Sequence, residues 1–430
     1  MSQPILKFEH DHEGNLQERS VYPDPSIGNQ TVADSYGPPP DSDYTRWLGL
    51  QSNLPLPSQL LSARSALQAP PSHILSESVP SAGSVSSRSS DSGFWASRIV
   101  KPDFARRAND LINESLGRKS GGTSVVEPDS VLGDSGRLYH GYHEGKYLMP
   151  NDAAEQDRLD LQHNIYLLLL DGWLHLAPMT TVPKYVLDIA TGTGIWAHDF
   201  AEKYPESFVI GNDLSAIQPD PRVPNLVFQK DDAESLWVFP APHPPTTECS
   251  FPCEHRILFD YVHLRMVVTC FDDTRNVMRQ AFDNMSPGGW IEYQDISFDL
   301  QAAQLEGMSI YSIKHACCIR GAATIGRDLL VAKKYKTYLE EIGFVDVQER
   351  QMVLPIGPWP RDPKMKDIGH WNLQNTIEGL KAVGWKMLKL AGYSSGEVET
   401  IVQETEAYVR DVRHRVYTPV YVVYGRKPLD

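Results

Sequence analysis

The stretch Tyr185-Val-Leu-Asp-Ile-Ala-Thr-Gly-Thr-Gly-Ile-Trp-Ala197 decides the fold of this chain. It begins with a short apolar run containing β-branched residues, which predicts a buried strand. Gly192 and Gly194 then predict a turn, and aromatic residues recur every four positions from Trp196 to Tyr204, which is a helical spacing. Strand, glycine turn and helix form a unit that binds nucleotide-like ligands, because glycine lets the backbone approach closely and a helix N-terminus presents free N–H groups.

Strands and helices alternate on both sides of this unit. The pattern predicts seven strands, at 185–189, 208–211, 226–229, 258–263, 287–294, 344–354 and 419–424. The intervening segments predict helices at 153–174, 274–285, 305–316, 331–342 and 371–390. Short turns between alternating elements favour an α/β fold with a Rossmann-like, mostly parallel sheet of seven strands and helices on both faces. We expect a cofactor-binding core over about 150–298 and a helical cap from segments at about 300–335 and 360–415.

The first 130 residues differ in composition from the rest. The 71–93 segment holds ten serines in 23 residues, and three prolines follow one another at 38–40. Such a segment cannot bury enough apolar surface to offset its ordering entropy. We therefore predict a disordered Ser/Pro-rich tail over 1–130 and one folded domain over 131–430.

Charge and composition exclude several classes of protein. The net charge of −15 argues against direct nucleic-acid binding, which normally needs a basic face. We expect no membrane span, because no apolar run reaches about 18 residues, and no signal peptide; both favour an intracellular protein, cytoplasmic or nuclear. Cys249, Cys253 and His255 have the spacing of half a zinc site, but no second half follows, so we predict no metal site.

Acidic residues stand at the ends of the first three predicted strands, where open α/β sheets bind ligands. They are Asp188, Asp213, and Asp231 with Asp232. Asp213 lies 21 residues after Gly192, close to the spacing at which a second-strand carboxylate meets ribose hydroxyls. The pair Asp232-Ala233 suits an adenine, because the carboxylate accepts from the exocyclic amine and a backbone N–H reaches a ring nitrogen.

Two cofactor classes fit the glycine turn. Gly192-x-Gly194-x-x-Ala197 matches the dinucleotide pattern, and Asp188-x-Ala190-x-Gly192-x-Gly194 matches the S-adenosylmethionine pattern. The carboxylate of Asp188 would repel a pyrophosphate, whereas it suits a ligand with an ammonium and a sulfonium. These residues favour S-adenosylmethionine over NAD(P).

The chain resembles the class I S-adenosylmethionine-dependent methyltransferases, specifically the fungal LaeA-like group, over roughly 137–428. The residues that carry the resemblance include Asn151-Asp-x-x-Glu155-Gln-Asp-Arg158-Leu-Asp, Leu187-Asp-Ile-Ala-Thr-Gly-Thr-Gly-Ile-Trp196, Gly211-Asn-Asp213, Phe259-Asp-Tyr-Val-His263-Leu-Arg265, Ser286-Pro-Gly-Gly-Trp290-Ile-Glu292 and Leu354-Pro-Ile-Gly-Pro-Trp359-Pro. Ala190 is a departure, since most members have glycine there.

The resemblance implies a role for each matching position. The backbone of Ala190, Thr191, Gly192 and Gly194 would pass close to the methionine part. Asp213 would hold the ribose, and Asp232 or Asp231 the adenine amine. His263 would lie near the sulfonium and acceptor as a candidate general base, while Tyr139 and Tyr142 would fold over the cofactor.

Two functions follow as expectations. The first is a methyltransferase that acts on an oxygen or nitrogen atom of a small molecule in fungal secondary metabolism. The second is a LaeA-like nuclear regulator that works through protein partners, with the long N-terminal tail as a docking segment. A third hypothesis, an NAD(P)-dependent oxidoreductase, is supported by the glycine pattern alone.

Overall fold

The computed structural model describes residues 130–133, 136–141, 146, 148–239, 256–298 and 318–430, together with the backbone of strands at 5–10, 16–21 and 301–302. The predicted disordered tail therefore falls largely outside the described residues. Within it, Ile5–His10 and Leu16–Val21 pair as an antiparallel hairpin that was not predicted. Tyr142, the helix expected at 305–316 and the Cys249–His255 segment also lie outside.

One mixed sheet forms the centre of the described domain. Its strands are β1 (Tyr185–Ile189), β2 (Phe208–Asp213), β3 (Leu226–Lys230), β4 (Phe259–Arg265), β5 (Met285–Ile296), β6 (Gln301–Ala302), β7 (Val345–Pro355) and β8 (Val416–Arg426). The strand order is β6-β8-β5-β4-β1-β2-β3, and β7 pairs with β8. Strands β3, β2, β1, β4 and β5 are parallel, whereas β8 runs antiparallel to its three partners. The predicted Rossmann-like fold is confirmed, with the two-residue β6 as an addition.

Helices follow the strands as expected, with altered ends. They are α1 (Ala153–Leu169), α2 (Ile195–Lys203), α3 (Thr274–Asn284), α4 (Tyr335–Ile342), α5 (Pro363–Gly379), α6 (Trp385–Leu390) and α7 (Ser395–Arg410). Helix α1 ends before 174 because Asp171 and Gly172 adopt left-handed conformations. The single helix expected at 371–390 begins earlier, at Pro363, where Asp362 caps it, and a π-helical turn at Leu380–Gly384 separates α5 from α6.

Both faces of the sheet are buried at its central strands, which explains why these strands are nearly continuously apolar. On one face, Val262 and Ile291 pack with α3 and α4; on the other, Val186 and Tyr261 pack with α1 and α2. None of the helices in the described part of the chain is long and apolar enough to cross a bilayer. The packed sheet leaves the carboxyl ends of β1 to β4 as the edge where ligand-binding side chains meet.

Candidate active site

The turn after β1 has an unusual backbone. Ala190, Gly192 and Gly194 all have positive φ, at 54°, 60° and 77°. Left-handed backbone costs little for glycine but about 1–2 kcal/mol for other residues. The turn is held by the Thr191 N–H, which donates to the Asn212 carbonyl at 2.9 Å. Glycine is thus the residue this backbone prefers at 190, where the chain carries alanine.

Gly194 serves packing more than ligand contact. A Cβ at this position would overlap the ring of Phe228 on β3, and a Cβ at Gly211 would meet the same ring. Gly194 caps α2 and does not border the cleft described next. The structure therefore places this predicted cofactor residue at the N-terminus of α2, outside the lining of the cleft.

A cleft of about 780 Å³, part of it open to solvent, lies at the strand ends. It brings together Ala190, Thr191, Gly192, Asp213, Asp231, Asp232 and Ala233, which are seven of the predicted cofactor-binding residues. They follow β1, β2 and β3, which are neighbours in the sheet. The positions of these residues after predicted strands therefore indicated the edge of the sheet at which they meet.

Asp213 joins the turn to β2. Its Oδ2 accepts from the Gly192 N–H at 2.8 Å, and its Oδ1 accepts from the Ser215 N–H at 2.9 Å. Gln218 fixes the other side of the turn by donating to the Gly192 carbonyl at 2.6 Å. Asp213 therefore both shapes the turn and presents a carboxylate to the cleft.

The cleft end beyond β3 is acidic but compensated. Asp231 Oδ1 accepts from the Asp232 N–H at 2.8 Å, and Asp232 Oδ1 accepts from the Glu234 N–H at 2.9 Å. The ammonium of Lys146 bonds Asp232 Oδ2 and lies 3.1 Å from Glu234 Oε2. Burial lowers the pKa of Lys146, but its hydrogen bonds to the two carboxylates outweigh burial and raise it. The sequence pattern did not identify Lys146, which is 86 residues away from Asp232.

Asp188 and His263 lie beneath the turn. Asp188 is 3% exposed; its Oδ1 accepts from His263 Nδ1 at 2.8 Å, and its Oδ2 accepts from the Thr191 hydroxyl at 2.5 Å. The imidazole is fully buried and stacks on Trp196 with 3.6 Å between ring centroids. Burial lowers the pKa of His263, and Asp188 opposes this shift. Neither residue borders the cleft, so the structure pairs His263 with Asp188 and places it outside the cleft lining.

Tyr139 also lies away from the cleft. It belongs to a two-residue strand, Leu138–Tyr139, that pairs with Val131–Leu132. The ammonium of Lys386 on α6 lies 4.9 Å from the centre of its ring. The resemblance implied that Tyr139 would lie over the cofactor, but the structure does not bring it over the cleft.

Helix α1 supplies residues that the sequence pattern did not assign to the site. Leu159 and Gln162 border the cleft, and Asp160 Oδ1 accepts from the Thr193 hydroxyl at 2.6 Å. Burial raises the pKa of Asp160 to about 7. Arg265, two residues after His263, also borders the cleft. The sequence did show acidic and polar residues in the α1 motif. It did not show where this helix packs, so these residues could not be assigned to the cleft.

A second cavity of about 1130 Å³ adjoins the cleft. Leu159, Gln162 and Met266 border both spaces. The second cavity, here called the apolar cavity, is otherwise lined mainly by Met149, Ile165, Val268, Phe298, Leu354, Val383 and Met387. The π-helical turn supplies part of this wall, as such turns often do at functional sites.

One edge of the apolar cavity is polar. Arg158 is buried, pairs with Glu155 at 2.6 Å and donates to Asn375 Oδ1 at 2.8 Å. Asn372 donates to the Pro355 carbonyl at 3.0 Å. Arg158 thus joins α1 to α5, Asn372 joins α5 to the end of β7, and both place fixed polar atoms on an otherwise apolar surface.

The cleft discriminates between the two cofactor classes. Asp213, Asp231 and Asp232 all border it, so a pyrophosphate would face three carboxylates. The same carboxylates are suitable acceptors for ribose hydroxyls and an adenine amine. These three carboxylates fit S-adenosylmethionine and do not fit a dinucleotide.

Metal-ligating side chains approach one another at one place in the described part of the chain. Donor atoms of His198, Asp199 and Glu202 on α2 lie within 4.8 Å of one another. Asp199 is engaged there with His163 at 2.8 Å. The cluster does not border the cleft.

Sequence comparisons with known proteins point to a methyltransferase. A family model described as a methyltransferase domain matches residues 161–349. Methyltransferase pytC of Aspergillus terreus is 33% identical over 68% of this chain and 87% of its own length. Probable methyltransferase tdiE of Emericella nidulans is 32% identical over 64% and 82%. The secondary metabolism regulator laeA of Aspergillus fumigatus is 30% identical over 71% and 80%.

Among solved structures, Haemonchus contortus phosphoethanolamine N-methyltransferase 2 in complex with S-adenosyl-L-methionine aligns with a TM-score of 0.34 and 16% identity, covering 66% of this chain and 54% of that one. The sequence relatives establish the family. The chain belongs to the class I methyltransferases that use S-adenosyl-L-methionine, in the fungal LaeA-like group.

Proposed function

We propose that this protein methylates an oxygen or nitrogen atom of a largely apolar small molecule in fungal secondary metabolism. The observation that carries the proposal is the wall shared by the two spaces. Leu159, Gln162 and Met266 border both the polar cleft and the apolar cavity, so a cofactor in one would adjoin an acceptor in the other. Apolar cavities with a few fixed polar groups are typical of small-molecule sites.

The cofactor supplies an electrophilic methyl group, and the protein aligns the acceptor and excludes water. In this proposal Asp213 holds the ribose hydroxyls, while Asp231, Asp232 and Ala233 hold the adenine. The backbone at Thr191 and Gly192 passes along the methionine part. All six border the same cleft as Ala190.

We propose that His263 is a positioning residue and not a general base. It bonds Asp188, which in turn bonds the Thr191 hydroxyl beside the cleft. Among the described residues that line either space there is no histidine. Acceptors that need no strong base, such as amines or acidic phenols, suit this arrangement.

The test uses a null strain as its source of acceptor. An extract of that strain is incubated with the purified chain and methyl-labelled S-adenosylmethionine. We expect label in one compound or a small related group, and none with the Asp213→Ala variant. Binding of S-adenosylhomocysteine without any labelled product from the extract would contradict the enzymatic proposal.

A regulatory role is the second candidate, because relatives named as secondary metabolism regulators match nearly as well. LAE1 of Cochliobolus heterostrophus is 30% identical over 99% of its length. In that case the protein would act in the nucleus through protein partners of its N-terminal segment, with no direct nucleic-acid binding. Metabolite profiles of a null strain and of an Asp213→Ala strain separate the candidates: loss of one methyl group from one compound supports the enzyme, whereas collapse of many unrelated pathways supports the regulator.

Deletion of residues 1–130 and a fluorescent fusion address the tail and the location. We expect the shortened chain to keep its activity in vitro if the tail is a linker. Nuclear accumulation that requires residues 1–130 would favour the regulator, and a cytoplasmic fusion would favour the enzyme.

A further inference from the structure

We propose that Arg265 binds the α-carboxylate of the cofactor and thereby selects S-adenosylmethionine over adenosine ligands that lack this group. The inference rests on the placement of the cofactor in the cleft under the proposed function. It assigns the end of the cleft near α1 to the amino-acid part of the ligand.

Arg265 is a cation with no anionic partner in the described part of the chain. It is the last residue of β4, half-buried, and the one cationic side chain among the described residues that border the cleft. Its guanidinium contacts His163 Nδ1 at 2.8 Å and lies 5.4 Å from the centre of the Tyr166 ring. No carboxylate of the described residues lies at ion-pair distance, so its charge is balanced only from farther away.

One compensating carboxylate acts through a histidine. His163 Nε2 bonds Asp199 Oδ2 at 2.8 Å, so one imidazole separates that carboxylate from the guanidinium. Burial lowers the pKa of Arg265, and the charges of Asp188 and Asp199 oppose this shift. Arginine stays protonated near neutral pH, and a buried cation is costly unless an anion pairs with it. A ligand that brings a carboxylate would complete the site.

The sheet topology places Arg265 at the correct end. Strand order β4-β1-β2-β3 separates it from Asp231 and Asp232, which follow β3. Neighbouring strands lie about 4.8 Å apart, so these two ends are about 14 Å apart. S-adenosylmethionine is elongated, with adenine at one end and the amino-acid group at the other. Its α-carboxylate is its one anionic group at neutral pH.

The test compares S-adenosylmethionine with its decarboxylated analogue, which keeps the adenosine, the sulfonium and the amine. Calorimetry on the full chain measures both affinities for the wild type, Arg265→Gln and Arg265→Lys. We expect the wild type to prefer S-adenosylmethionine by about 10-fold to 100-fold, the value of a charge-assisted contact. Arg265→Gln should lose most of this preference and bind the analogue as the wild type does, whereas Arg265→Lys should keep part of it.

The control is Arg279→Gln, which removes an exposed arginine on α3 and should leave both affinities unchanged. If a folded Arg265→Gln variant loses affinity equally for both ligands, the proposal is overturned, because Arg265 then only positions α1. If that variant does not fold, equal wild-type affinities for the two ligands would overturn it just as well. A wild type that binds neither ligand would instead refute the proposed function.

Discussion

The two ends of the cleft balance their charges in different ways. Beyond β3, Asp232 and Glu234 share the ammonium of Lys146, so the chain itself supplies the counter-charge. Near α1, Arg265 contacts a histidine and an aromatic ring, and none of the described carboxylates pairs with it. The first end is complete without a ligand, whereas the second needs one.

The compensated end is preorganised for its part of the ligand, whereas the uncompensated end selects ligands by their charge. A compensated end holds its shape at no extra electrostatic cost when the adenosine part arrives. An uncompensated cation instead gains free energy only from a ligand that carries the matching charge. Four substitutions probe the two ends and the turn between them, from the largest expected effect to the smallest.

Asp213→Ala should have the largest effect, because this residue lies between the two ends. It removes a charged acceptor from the Gly192 and Ser215 N–H groups, each bond contributing about 1.5–3 kcal/mol. We expect the affinity for S-adenosylhomocysteine to fall by at least about 100-fold in calorimetry. Asp220→Ala, an exposed carboxylate seven residues later, is the matched control and should bind normally. Wild-type affinity in the Asp213 variant would remove this residue from the site.

Lys146→Met tests the compensated end. It leaves two neighbouring, mostly buried carboxylates without their cation. We expect the free energy of unfolding to fall by about 2 kcal/mol, because an uncompensated buried charge is costly. Urea denaturation measures the change, and Lys336→Met, an exposed lysine on α4, should cost nothing comparable. Equal effects of the two substitutions would mean that Lys146 is not the structural counter-charge.

Asp160→Asn tests the α1 end through pH. The pKa of Asp160 is raised from 3.8 to about 7 in the folded protein, so folding favours its protonated form. Its ionisation therefore lowers stability as pH rises from about 4 to about 7. Asparagine cannot ionise but still accepts from Thr193, so the variant should be about 1 kcal/mol more stable than the wild type at pH 8, after allowance for solvent screening. Thermal unfolding should show this gain disappearing at pH 4; a gain that is constant with pH would contradict it.

Ala190→Gly should have the smallest effect, and it should be stabilising. Glycine relieves about 1–2 kcal/mol of left-handed strain at φ 54° but adds freedom to the unfolded chain worth about 0.4–1 kcal/mol. We expect a net gain of about 0.5 kcal/mol by thermal unfolding. Ala201→Gly within α2 should change stability in the opposite direction, because glycine disfavours a helix interior. A loss at position 190 would mean that the alanine methyl group packs usefully in the turn.

The fold could be predicted from the sequence because its signals are local. Each of the seven expected strands is present. The five parallel strands were expected from apolar runs, which buried parallel strands need, and β7 from its alternating pattern. The early end of α1 and the π-helical turn were missed. The first depends on backbone conformation at Asp171, and the second is a local irregularity that the apolar spacing did not reveal.

The residues that border the cleft could be anticipated only where they directly follow a strand. Asp213, Asp231 and Asp232 follow strands directly, so their place at the sheet edge could be anticipated. His263 lies within β4, and successive side chains of a strand point to opposite faces, so its burial beneath the turn could not be judged from spacing. Lys146 reaches Asp232 from a distant segment, as its 86-residue separation from that residue shows.

A crystal structure with S-adenosylhomocysteine bound tests the central claim most directly. We predict the adenosine part at Asp213, Asp231 and Asp232, with the α-carboxylate within hydrogen-bond distance of the Arg265 guanidinium. A carboxylate directed away from Arg265, or an adenine at the α1 end, would contradict this account of the cleft.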